Sequence, residues 1–168
     1  MLRLLVIGAG AVLLASGPAL ACSAISSQTI KLTACVDEQW QSQKGEGAVE
    51  FNYLTADGNF GLQVITETAV LPGQTMHDAI LANAASAAGG DKSKVKTIAE
   101  RVENIDGKPF NVLDYTIEGG NIVLEYQNYY YSQPGLGTVQ ILGLSVPADG
   151  NAAAFKVGEF AATVKLGS

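Results

Sequence analysis

The chain has 168 residues, 48% hydrophobic and 15% charged, so one domain with a sizeable core is within reach. Ten Lys and Arg stand against sixteen Asp and Glu, a net charge of −6. That balance argues against nucleic acid or an anionic membrane surface as partner, because phosphates need clustered Lys and Arg.

The chain starts as an export signal. Arg3 precedes the apolar run Leu4 to Ala15, which is shorter than the ~20 residues that span a bilayer. Ser16, Gly17 and Pro18 break it, and Ala19-Leu20-Ala21 places small side chains for cleavage after Ala21. Residues 1–21 are therefore read as a signal peptide, and loss of Arg3 takes the net charge to −7. Cleavage would make Cys22 the first mature residue. It then has two possible fates. Pairing with Cys35, the only other cysteine, would close a loop worth roughly 3 kcal/mol in the chain-entropy treatment. The alternative is a lipid on Cys22, as in bacterial lipoproteins, with membrane attachment only in that case. Ala at −3 and Leu at −2 fit ordinary signal cleavage better, and pairing is favoured. A spacing unlike Cys-x-x-Cys argues against a catalytic dithiol. The expected location is the periplasm or the secreted space.

Residues 22–46 read as an N-terminal strand, near Ile30 to Val36, and a connecting segment; residues 47–168 read as the α+β domain. "EGAVEFNYL" and "NFGLQVITETAV" alternate about Asp57-Gly58, a hairpin. "LPGQTMHDAILANAASAAGG" is a helix. Thr75 and Asp78 suit a capping box, and Met76, Ile80, Ala84 and Ala87 make the buried stripe. Four strands follow, separated by "IDGKP", "EGGN" and "SQPGLG". On the third, Ile122, Leu124, Tyr126 and Tyr130 share one face, while Glu125 and Gln127 lie on a face expected to meet solvent. The last segment reads as a helix capped by Asn151, with Ala153, Val157, Phe160 and Val164 inward. Gly158 leaves a strand from Phe155 as the alternative.

The expected fold is α+β: a mostly antiparallel sheet of six to seven strands, with one helix after the first hairpin and a C-terminal helix packed on it. A hairpin, "TMHDAILANAAS" as covering helix, "VENIDGKPFNVLDYTI" as a hairpin about Gly-x-Pro, then two strands and a helix resembles the PsbP-like fold over residues 47–165. That resemblance implies a binding or assembly module without catalytic machinery, and it carries no functional residue across.

The residues supply little chemistry. His77, the one histidine, sits in a first helical turn and is expected to be exposed, its neighbour Asp78 facing elsewhere. One histidine and two paired cysteines do not make a zinc site. "DGNFG" lacks the Gly and Glu of a calcium loop, since Leu62 and Thr68 hold those places. No glycine-rich phosphate loop is evident, so no cofactor is expected. Glu125 is the one acid in aromatic surroundings, which keeps a small hydrolase as the least favoured reading. The best surface for a protein or small-molecule partner is "QNYYYSQPGLG", with Tyr129, Tyr131 and Pro134 as contacts. The expected function is an exported, non-enzymatic binding or assembly module, with a membrane-anchored scaffold as the alternative.

Overall fold

The computed structural model describes residues 22–146 and 152–167, with the side chains of 152–155 outside the description. The signal-peptide reading of 1–21, the Asn151 cap and the place of Ala153 in the helical stripe all lie outside the described residues.

The strands are β1 (Cys22–Ser26), β2 (Leu32–Asp37), β3 (Trp40–Gln43), β4 (Val49–Thr55), β5 (Phe60–Glu67), β6 (Val95–Ile105), β7 (Lys108–Gly119), β8 (Ile122–Gln133), β9 (Gly137–Ser145) and β10 (Lys165–Leu166). Helix α1 spans Gly73–Ala87 and α2 spans Ala152–Thr163. A seven-stranded antiparallel sheet runs β3-β4-β5-β9-β8-β7-β6, and β1-β2-β10 form a second, three-stranded sheet. The fold is α+β and mostly sheet, as the alternation of the strands requires. Segment 22–46 supplies strands to both sheets, and Leu32, Val36 and Trp40 join one core with Leu62, Val112 and Ile141. The C-terminal segment is helical through Gly158, and the strand alternative is wrong there. Val157, Phe160 and Ala161 anchor it by burial.

The two helices lie on opposite faces of the main sheet. Val157, Phe160 and Ala161 of α2 share a core with Tyr129, Val139, Ile141 and the small sheet. Met76, Ile80 and Ala84 of α1 share the other core with Leu113, Tyr115, Ile117 and Tyr130. Both faces of β8 are therefore covered along its C-terminal half. Gln127 is 6% exposed, which overturns the expected solvent face; its Nε2 donates to Asp114 Oδ1 at 3.0 Å.

Two local expectations also fail. Helix α1 starts at Gly73 behind Pro72, with no side-chain cap, so Thr75 falls inside the first turn. Asp78 instead accepts from Gln74 Nε2 at 2.8 Å, one helical turn away. The stripe continues to Ala88, which is buried, and Ala87 faces outward. Spacing of four throughout keeps the row on β7.

Candidate functional site

Cys22 and Cys35 are disulfide-bonded, with Cα atoms 5.6 Å apart. Antiparallel pairing of β1 with β2 sets Ala24 against Cys35 and Cys22 against Asp37, so the cysteines are diagonal neighbours. The bond uses the Cys22 sulfur that a thioether lipid would need. It also holds β1, an outer strand that among the described residues pairs with β2 alone, against the small sheet.

The disulfide lines one end of a cleft of about 350 Å³ between the small sheet and α2. Trp40 and Phe160 form the apolar side, and Asp37, Lys156 and Glu159 supply charge. Helical spacing puts Lys156, Glu159 and Thr163 along one side of α2. Thr163 fixes the end of α2 to β2: its hydroxyl accepts from Cys35 N–H at 3.0 Å and contacts Phe160 O at 2.7 Å. Lys156 is held by the Gln39 side-chain oxygen and lies 5.3 Å from the centre of the Phe60 ring. A mostly apolar concavity with a few convergent polar groups is the usual form of a small-ligand or peptide-anchor site. Sequence reading missed it because its lining comes from three separated segments.

The described residues form further concavities. One of about 390 Å³ lies between α1 and β6, lined by Leu81, Ala85, Val95 and Thr97 with Asp78 and Lys92. A shallower one of about 470 Å³ runs past Gly135, Leu136 and Gly137 beside the β1–β2 loop.

The structure redistributes the expected contact residues. Tyr129 is 2% exposed under α2, and its hydroxyl faces Gly158, where a Cβ would lie 3.5 Å away. Burial, with the Glu103 charge adding, pushes its pKa up to about 12. Tyr129 is thus a core residue, not a contact residue. Tyr131 is partly buried, stacked on Phe110 with ring centres 5.1 Å apart, and its hydroxyl donates to Gln133 Oε1. Of the three, Pro134 is exposed, in the short turn between β8 and β9. Projection from the face away from Tyr130 was read correctly; a second covering layer was not.

His77 is not exposed either. Its side chain is 19% accessible, with Nδ1 3.3 Å from Asp78 Oδ1 and Nε2 3.3 Å from Glu100 Oε1. Burial alone would lower its pKa, but the two carboxylates outweigh burial and raise it. Asp78 Oδ1 lies between Gln74 Nε2 and His77 Nδ1 on α1, while His77 alone reaches across to Glu100 of β6, which backbone spacing alone does not show. Glu125 stands between Thr116 and Ser145 on the neighbouring strands. Among the described residues, no group of three or more His, Cys, Asp or Glu could hold a metal ion. Among them too, no helix is long and apolar enough to cross a membrane.

The seven-stranded antiparallel sheet with a helix on each face is a PsbP-like fold. The chain is similar to the solution structure of cyanobacterial PsbP (CyanoP) from Synechocystis, with a TM-score of 0.66 and 14% identity, over 96% of this chain and 99% of that one. At that identity the likeness is one of fold. A crystal structure from Bacteroides thetaiotaomicron aligns at a TM-score of 0.47 and 9% identity, over 82% of this chain and 45% of that one. A protein of unknown function from Pseudomonas aeruginosa aligns at 0.39 and 14% identity, over 82% and 93%. No protein-family model and no curated protein matches the chain.

Proposed function

We propose that this protein is an exported, non-enzymatic binding module whose contact site is the cleft between α2 and the disulfide-closed hairpin. The observation that carries this reading is the cleft's make-up: an apolar side of Trp40 and Phe160 beside the charged groups of Lys156, Glu159 and Asp37. Such a lining suits a ligand or partner segment with an apolar body and a charged end. Export is supported by the Ala19-Leu20-Ala21 site and by a disulfide, which persists in oxidising compartments. A soluble exported form is favoured over the lipid-anchored one, because the paired Cys22 sulfur is not free for a thioether.

Trp40 is the one tryptophan in the chain, so its emission reports on the cleft directly. An anilinonaphthalene sulfonate probe, apolar with one negative charge, should quench Trp40 by saturable energy transfer. Ala162→Phe, which places a ring in the cleft from an exposed position, should abolish that signal with the fold intact. Unsaturable binding, or binding indifferent to Ala162→Phe, would remove the cleft as the site.

A further inference from the structure

Strand β6 is an outer strand of the main sheet, eleven residues long, and no described element pairs with its free side. Two apolar side chains on it, Ile98 and Val102, are 61% and 63% exposed. A long edge with apolar side chains is a template for another strand. The spacing of its charges identifies which strand.

The phase of the edge follows from the β6–β7 turn. Asp106 and Gly107, both at positive φ, form a two-residue loop, so Ile105 and Lys108 close it as a hydrogen-bonded pair. Alternation then turns the backbone groups of Ile105, Glu103 and Arg101 toward β7. Those of Asn104, Val102 and Glu100 point outward. The side chains divide as well: Arg101 and Glu103 lie on the α2 face, opposite Val112 and Phe110, while Glu100 and Val102 lie on the α1 face.

We infer that β6 pairs with β6 of a second copy of this chain, antiparallel, about a two-fold axis at Val102. In that register Val102 meets Val102 of the second copy, and Glu100 meets Asn104. The outward N–H and C=O groups of residues 100, 102 and 104 satisfy one another without a slip. Arg101 comes opposite Glu103 of the second copy, and Glu103 opposite its Arg101. Each charge therefore faces its opposite twice, and the Arg101–Glu103 contact inside each copy extends into a four-membered network. A slip of two residues centres the pairing on Arg101 or on Glu103 and sets that charge against itself, and a slip of four toward the start of β6 does the same to Glu100. The bulge at Ile98, between Thr97 and Ala99, ends the pairing. Seven residues per copy then make a small interface, and the dimer is concentration-dependent.

Sedimentation velocity on residues 22–168, oxidised and at low salt, tests this. A dimer should form reversibly at concentrations on the order of 100 µM and weaken with added salt. Val102→Lys places two ammonium groups on the axis and should weaken association at least about tenfold. Glu103→Lys should do the same by setting Lys against Arg101. Mixing the Glu103→Lys chain with an Arg101→Glu chain should restore a mixed dimer, with circular dichroism confirming that each is folded. Should Arg101→Glu fail to fold through loss of its Asp114 contact, Val102→Lys still decides. A wild type monomeric to about 1 mM, or a dimer untouched by Val102→Lys, overturns the inference.

Discussion

Gly143 of β9 lies directly beneath Val157 of α2. A Cβ on residue 143 would sit 3.0 Å from Val157 Cβ and 3.2 Å from its Cγ1, and closer still to Cγ2. The missing side chain lets the helix settle on the sheet, so that Phe160 and Ala161 reach the same core. Gly143→Ala should destabilise the protein by about 1–3 kcal/mol through overpacking. Pairing it with Val157→Ala should recover part of that loss. Urea unfolding of the two variants checks this; equal stability of wild type and Gly143→Ala would show that α2 does not seat there.

Tyr129 and Tyr131 respond differently to truncation. Tyr129→Ala empties a site in the main core and should cost about 3–5 kcal/mol. Tyr131→Ala removes a partly buried ring stacked on Phe110 and should cost less. Thermal unfolding of both separates core from cover. A fully stable Tyr129→Ala would contradict the burial of β8 on its α2 face.

The Cys22–Cys35 bond closes a short loop and holds an outer strand. Its removal in a Cys22→Ser/Cys35→Ser variant should lower stability by about 3 kcal/mol. The main sheet should survive, since β1 adds no strand to it. The wild type should exceed the variant's denaturant midpoint without reductant and fall to it when reductant is added. A reductant effect in the double-serine protein would point to another cause.

Stability should respond to pH at His77. The Asp78 and Glu100 carboxylates raise its folded pKa above the unfolded value of about 6.5. A raised pKa means that the stabilisation is fully present below about pH 6.5 and is lost as pH rises through the folded value. The carboxylates are 67% and 59% exposed, so the effect stays below about 1 kcal/mol. His77→Gln should flatten the pH dependence between about pH 6 and 8. An unchanged slope in that variant would show that the ion pairs do not form in solution.

The β6–β7 turn shows how local and tertiary information join. Asp106-Gly107 reads as a turn from sequence, because both positions favour positive φ. The structure adds a second role: Asp106 Oδ2 accepts from Leu166 N–H at 2.8 Å, and Oδ1 lies 3.3 Å from Lys165 Nζ. The turn thereby holds β10, and these contacts lower the Asp106 pKa. Glu50 acts similarly between the sheets, accepting from the Ser27 hydroxyl at 2.6 Å and from Thr66. Neither partner choice is visible in a sequence, because the pairs are brought together by chain segments 60 and 23 residues apart.

What the sequence determined by itself was local and periodic. Alternation placed the strands, short glycine-bearing turns placed the main-sheet hairpins, and an i+4 row placed α1. The presence of two cysteines left Cys35 as the one intramolecular partner for Cys22. The helix start was misread because Thr75 and Asp78 match a cap pattern, whereas Pro72 sets the entry to the helix. Tertiary structure alone decided which faces are covered. A period of two assigns Tyr129 and Tyr130 to opposite sides of a strand, but it carries no information about what lies above either side. Here α2 and the small sheet cover one ring and α1 covers the other, so both leave water. The cleft at the disulfide and the free edge of β6 follow from that same layering.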